Sequence, residues 1–374
     1  MLGIYVHLPF CPYICPYCDF AKWPHRKSLA GRYMDALTRE IERCAPETAA
    51  TLFVGGGTPN TYEPCEISAL VGRIREKFCI ASGAEISIEI NPDLELCKGF
   101  DAYRAAGISR LSIGVQSFEN SEIATLGRRH CAADVTSVVG LARSAGIAAV
   151  SMDLMFAIPG QTSKSWLRSL RRAIDLNVDH ISTYGLTVED GTPYAQWRAR
   201  EPSAFSDDGH EAELYALAME TLEQAGYRQY EISNFAKPGF ECLHNANYWQ
   251  NGEYIGLGVG AASFRIGRRC THTRSLERYI QAVFDDVPIP GEWEQLEGPS
   301  RAGEAVMLAL RTNAGLSFER FAQQYGIDFL QFYAPEVKKL RHAGLLDVDD
   351  SHAKLTQRGR FFANDVCGEF VTLG

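Results

Sequence analysis

Three cysteines stand within eight residues near the start of the chain, in the run Cys11-Pro12-Tyr13-Ile14-Cys15-Pro16-Tyr17-Cys18. Thiolates at this C-x3-C-x2-C spacing share one short loop and can wrap one face of a cuboidal iron–sulfur cluster. Three irons are then ligated and the fourth stays open. Soft sulfur ligands suit either such a cluster or zinc, so ligand type alone does not choose between them. The zinc alternative takes His7 as fourth ligand and closes a tetrahedral Cys3His centre. Three buried, unligated thiols would leave the spacing without a reason. The other eight cysteines (Cys44, Cys65, Cys79, Cys97, Cys131, Cys242, Cys270 and Cys367) are scattered and read as small buried hydrophobes. A total of eleven is odd and nothing suggests export, so a disulfide framework is not expected.

Other residues with chemical potential follow at intervals. In Gly55-Gly56-Gly57-Thr58-Pro59 the glycines admit close backbone approach, so amides and carbonyls can meet a ligand; a plain turn has the same composition. Glu89 lies in the apolar run Ile88-Glu89-Ile90-Asn91-Pro92, where a carboxylate is costly unless paired or hydrogen-bonded. Gln116, Arg128 and Asp153 are further polar candidates. His244-Asn245-Ala246-Asn247-Tyr248-Trp249 gathers an imidazole, amides and flat aromatics in six residues. Histidine is a common axial ligand to haem, and aromatic faces pack well on a porphyrin. A polar turn with a buried tryptophan is the alternative.

From residue 3 to about 190, short β-rich runs alternate with helical stretches. The candidate strands are Gly3–Leu8, Thr51–Gly55, Glu85–Ile90, Arg110–Gln116, Ala148–Met155 and His180–Leu186; stretches such as Leu29–Cys44 and Ile67–Phe78 carry apolar residues at helical spacing. Such alternation predicts an α/β fold, a parallel sheet of six βα units forming a partial or complete TIM-like barrel. Ligand chemistry then belongs at the carboxyl ends of the strands. Gly55, Gly56, Gly57, Glu89, Asn91, Gln116 and Asp153 all fall at or just past those ends. Three segments are expected: a core over 1–190, a barrel-completing region over 191–290 with a helix at Asp208–Ala225, and a tail over 291–374. The tail reads as three helices, a hairpin at Leu345–Leu355 turning at Asp349–Ser351, and a last helix, the order of a winged-helix-like α+β unit. Its charges are mixed, Lys338, Lys339 and Arg341 against Asp347, Asp349 and Asp350, which favours a docking or packing module over a DNA reader.

Tyr5-Val6-His7-Leu8-Pro9-Phe10-Cys11, together with the cysteine spacing, resembles the opening of a radical-SAM protein of the coproporphyrinogen dehydrogenase-like group. The resemblance implies a [4Fe–4S] cluster on Cys11, Cys15 and Cys18, with S-adenosylmethionine chelating the open iron through its amino and carboxylate groups. Cleavage of the sulfonium by an electron passed through the cluster, giving a 5′-deoxyadenosyl radical, is the chemistry it carries. Gly56, Gly57 and Thr58 then match the element that meets the methionine amino group, and Glu89 the group that meets ribose hydroxyls or the ammonium. Gln116, Arg128 and Asp153 stand in the order of the remaining contacts, with Tyr5 and Tyr17 flanking the adenine. The HNxxYW motif resembles that of the HemW-type haem chaperones, which retain the radical-SAM apparatus. It implies His244 as an iron ligand, with Asn245, Tyr248 and Trp249 beside the haem. This likeness extends over nearly the whole chain, including Gly256–Phe264 and the tail.

Two departures separate the chain from the dehydrogenases. Phe20 stands where they carry a fourth cysteine, and only ten residues precede Cys11. A haem-trafficking protein with haem, haem-dependent client enzymes and an electron donor as partners is therefore the first expectation, and coproporphyrinogen dehydrogenase activity is not expected. Decarboxylation of coproporphyrinogen III is the second reading; another radical-SAM reaction is the third and leaves HNANYW unexplained. Composition agrees with a globular protein: 46% hydrophobic, 22% charged, with net charge −9. The acidic balance argues against a nucleic-acid partner. No signal peptide and no transmembrane run of apolar residues is seen, and a cytoplasmic location is expected.

Overall fold

The computed structural model describes residues 1–371, so positions 372–374 of the expected tail segment lie outside the described residues. All six expected strands form, as β1 (Leu2–Leu8), β2 (Thr51–Gly56), β3 (Glu85–Ile90), β4 (Arg110–Gln116), β5 (Ala149–Phe156) and β6 (His180–Gly185). They pair in parallel in chain order, joined by crossover helices that include Lys27–Arg43, Pro64–Lys77, Ala132–Ser144 and Ser163–Asp175. The second of these starts three residues before the expected Ile67. Its first turn is set by Pro64 and a capping box between Glu63 and Glu66 rather than by apolar spacing.

A seventh parallel strand, β7 (Glu253–Leu257), lies on the free side of β1 in the register Leu2↔Glu253 to Val6↔Leu257. Its sequence, Glu-Tyr-Ile-Gly-Leu, is short and glycine-broken, so periodicity does not announce it. Antiparallel strands extend both edges: Ala262–Arg265, Arg268–His272 and Gly291–Gln295 beyond β7, and Asn234–Ala236 and Arg228–Gln229 beyond β6. Among the described residues the two ends of this 12-stranded sheet are not paired, and the barrel is partial.

Side-chain alternation sorts the sheet into two faces. Ile4, Val6, Leu8, Leu52, Val54, Ile86, Ile88, Leu111, Ile113, Val150 and Met152 are buried in the main hydrophobic core with residues of the surrounding helices, such as Tyr33, Leu37, Leu70 and Trp166. The alternate residues face the barrel interior, and these are mostly polar: Glu89, Arg110, Ser112, Ser151, Asp153, His180 and Ser182 line one cavity there. Stability thus resides between sheet and helices, and the interior is left free for chemistry.

The tail builds a second core from Val306, Leu310, Phe321, Phe329, Leu340, Leu346, Leu355, Val366 and Phe370. Its hairpin, Leu346–Val348 with His352–Leu355, turns at Asp349 as expected and gains a third strand, Leu316–Ser317. Asp349 Oδ1 accepts the backbone N–H groups of Ser351 and His352, each at 2.7 Å, which fixes the turn. Ile232 packs against both cores, and its N–H donates to Arg311 O at 3.1 Å. Among the described residues no helix is long and apolar enough to cross a membrane.

Candidate functional site

A cleft of ≈ 320 Å³ opens at the carboxyl ends of the strands and is lined by Cys11, Cys15 and Cys18. The cysteine loop is anchored at its base, where Trp23 N–H donates to Pro9 O and His25 N–H to Cys11 O, each at 2.8 Å. All three thiols are free of disulfides. Burial pushes Cys11 up to about 11, the neighbouring Cys18 and Cys15 adding to the shift, and burial raises Cys15 too. Thiols so reluctant to ionise are poor nucleophiles, and a bound metal would have to displace their protons. Phe20 is 68% exposed at the mouth of the cleft.

His7 is not a fourth ligand. Its Nε2–H donates to Ala21 O at 2.7 Å, and its Nδ1, 2.9 Å from the Tyr5 hydroxyl, accepts from it. Both ring nitrogens are engaged below the cleft, so the tetrahedral zinc alternative loses its last donor. Tyr5 is displaced from its expected place by the same contact. It lines the interior cavity, stacked on Phe53 at 6.3 Å, rather than the cysteine cleft.

The glycine turn is a steric necessity. A Cβ on Gly57 would lie 2.8 Å from the Pro9 carbonyl carbon, and one on Gly56, which has φ +117°, 2.7 Å from the His7 ring. Gly57 N–H donates to Leu8 O at 2.8 Å and Thr58 N–H to Phe10 O at 2.9 Å. Only residues without side chains let the end of β2 lie against the chain that delivers Cys11. Gly56, Gly57 and Thr58 all line the cleft.

Gln116, Arg128 and Asp153 line the same cleft, as do Tyr17 and Glu89. Arg128 is its organising cation: Nη1 donates to Asn91 Oδ1 at 2.6 Å and Nη2 to the Tyr17 hydroxyl at 3.1 Å. Asn91 Nδ2 in turn donates to Thr58 Oγ1 at 3.2 Å, and Asn60 holds the Asn91 backbone from both sides. A polar chain therefore runs from the cysteine loop through strands β3 and β2. The Arg128 Nε–H is buried with no hydrogen-bond partner among the described residues, and an anionic group would satisfy it. Gln116 closes β4 at φ +67°, beyond a break in register with β5, a strained geometry for a side chain with a Cβ.

Glu89 accepts from Gly56 N–H at 2.9 Å, and burial raises it to about 7, with Asp153 contributing. Asp153 is raised by burial as well, and accepts from Ser112 Oγ at 3.0 Å. The residues present fit a cluster with S-adenosylmethionine: free thiols around an open cleft, carboxyls for hydroxyl or ammonium donors, and an arginine for a carboxylate. Asn91 and Ser112 are the parts that motif reading left without a role. Ser112 shares strand parity with the cleft-lining residues, and Asn91 lies two residues past Glu89 at the end of β3; these are the signals that find them.

Glu89, Ser112, Asp153 and Tyr184 also line the interior cavity of ≈ 220 Å³. Its far end is closed by the helix Leu243–Trp249. His244 is 1% exposed, stacked on Phe53 at 5.3 Å, with Nδ1 2.8 Å from Thr51 Oγ1 and Nε2 2.8 Å from the Tyr248 hydroxyl. Burial lowers it to about 3. The His244 backbone N–H donates to Glu85 Oε1 at 3.1 Å. Thr51 and Glu85 begin their strands, so the imidazole plugs the amino-terminal end of the barrel, opposite the cysteines. Asn245 and Tyr248 line the cavity with it, whereas Trp249, five residues on from His244, faces out toward the tail domain. The expected haem residues are thus divided between two cavities.

A profile of the Radical SAM superfamily matches residues 5–195, and one of the HemN C-terminal domain matches residues 296–362. The chain is 34% identical over 376 residues to the heme chaperone HemW of Bacillus subtilis (strain 168), covering 99% of each chain. It is 31% identical over 383 residues to the heme chaperone HemW of Escherichia coli (strain K12), covering 99% of this chain and 98% of that one. Among solved structures, coproporphyrinogen III oxidase (HemN) from Escherichia coli, described as a radical SAM enzyme, matches with a TM-score of 0.87 at 27% identity, over 99% of this chain and 90% of that one. The profile match over residues 5–195, the fold shared with HemN and the similarity along the full length converge: the chain belongs to the radical SAM superfamily and, within it, to the HemW family.

Proposed function

We propose that the protein is a haem chaperone that binds haem and passes it to haem-dependent enzymes, using a [4Fe–4S] cluster on Cys11, Cys15 and Cys18 and S-adenosylmethionine held in the adjoining cleft. The full-length similarity to relatives named heme chaperone HemW carries the reading. The cluster would supply one open iron and one-electron chemistry, for which an electron donor is the implied partner. Around it, Gly56, Gly57 and Thr58 form the wall for the methionine amino group, and Arg128 is the partner for its carboxylate. Glu89 and Asp153 receive hydroxyl or ammonium donors, and Tyr17 and Gln116 border the nucleoside. Met155 and Tyr184 complete the lining of this cleft. Residues 1–190, 191–290 and 291–374 divide the work into cluster site, barrel closure and docking module. Haem ligation by His244 would require one of its ring bonds, Nδ1 to Thr51 or Nε2 to Tyr248, to open.

A second reading, decarboxylation of coproporphyrinogen III, draws on the likeness to HemN. Against it stands Phe20 in place of a fourth cysteine. Anaerobic reconstitution followed by haem titration tests the first reading. A stoichiometric Soret band without porphyrinogen turnover supports it, and turnover coupled to methionine release would replace it with the second.

A further inference from the structure

The outward-facing member of HNANYW points to a cavity that the barrel does not contain. Between the helix Leu243–Trp249 and the tail domain lies a cleft of ≈ 340 Å³, against ≈ 220 Å³ for the interior cavity that holds His244. Trp249 and Tyr325 supply aromatic walls, and Ala246, Ala305 and Ala309 leave space between them. The lining is mixed, with Gln250, Ser317, Arg320 and His352 among its polar residues, and a domain junction is a usual location of ligand sites.

Two polar groups in this cleft are uncommitted. His352, at the start of the hairpin strand His352–Leu355, engages Ser351 Oγ through Nδ1 at 2.8 Å. Its Nε2 has no hydrogen-bond partner among the described residues, in contrast to His244, whose two ring nitrogens are both held. The Arg320 side chain likewise has no acceptor among the described residues and borders the same space. An imidazole whose Nε2 has no partner among the described residues, flat aromatic walls and a guanidinium match, respectively, an axial iron position, a macrocycle face and a carboxylate.

We propose that haem binds in this interdomain cleft, packed on Trp249 and Tyr325, with His352 Nε2 as an axial ligand and its propionates directed to Arg320. The proposal rests on the chaperone reading and places its cargo outside the barrel. HNANYW then has two duties: His244 and Tyr248 seal the barrel, and Trp249 forms a wall of the haem site.

The test is a titration of the full-length, anaerobically reconstituted protein with hemin, read by its Soret band, beside His352→Ala, Ala309→Trp and His244→Ala. Intact cluster absorbance and thermal unfolding serve as checks on folding. The expected results are a shifted, weakened Soret band in His352→Ala that added free imidazole restores, and loss of affinity in Ala309→Trp, whose indole fills the cleft. Wild-type spectra and affinities in both variants, or a loss confined to His244→Ala, would overturn the cleft and leave the chaperone reading standing. Absence of a Soret band in the wild-type protein would overturn both.

Discussion

Arg128 is the residue on which the cleft depends. It is the one cation bonded to both Tyr17 and Asn91, and its Nε–H has no partner among the described residues. Arg128→Gln should weaken S-adenosylmethionine binding by about 1.5–3 kcal/mol, the worth of a charged hydrogen bond, with the cluster retained; calorimetry on the reconstituted protein reads this directly. Glu89 gives a signature in pH. Because burial raises it from 4.5 to about 7, the native state binds more protons than the unfolded chain across that window. Stability therefore falls as pH rises from about 4.5 to about 7 and levels off above it. Glu89→Gln should flatten that slope in denaturant titrations, leaving the shares of Glu231, Glu40 and Asp153, which burial also raises. His244→Ala removes a stacked ring and strands the Thr51 and Tyr248 hydroxyls, a cost of about 2–4 kcal/mol. A drop in melting temperature is expected even without haem, so haem loss in that variant is informative only when stability is measured alongside.

At the scale of elements, the turn at Gly55–Gly57 is where β1, β2 and the cysteine loop are fitted together. Gly57→Ala must push against the Pro9 backbone at 2.8 Å and should cost about 1–3 kcal/mol, with reduced cluster content after reconstitution. The six parallel strands and the tail hairpin were legible from alternation because their apolar residues form one face of each strand and the chemical residues the other. β7 was not, since Gly256 interrupts a five-residue run that is defined only by pairing with β1. The cysteine loop and the strand-end residues Glu89, Gln116 and Asp153 were legible from spacing and strand ends, whereas Arg128, on the loop after the helix Asn120–Thr125, was reached only through the family resemblance. Tyr5 was misplaced: its position on β1 puts it below His7 in the barrel, a depth that sequence spacing does not encode. The division of HNANYW was hidden for a related reason. A single seven-residue helix touches two cavities, and only its packing against β2 and the tail decides which residue meets which.

Over the whole molecule, two hydrophobic cores meet along the loop that carries Ile232 and the helix that carries Trp249. Arg311 of the tail lies over the Trp249 ring at 6.0 Å, while Ile232 N–H and Asn313 N–H tie the backbones together. Trp249→Ala should loosen this junction by about 1–2 kcal/mol, seen as earlier proteolysis between the two cores or as a split unfolding transition. The similarity to heme chaperones runs through the barrel, the cysteine cleft and the tail alike, and haem delivery is its most direct test. Haem-loaded protein, reconstituted without oxygen, would be mixed with a haem-free haem enzyme while the Soret band and the enzyme's activity are followed. The account predicts that haem leaves the protein as activity appears, with no conversion of coproporphyrinogen III. Haem that stays bound while porphyrinogen is decarboxylated at the expense of S-adenosylmethionine would contradict it.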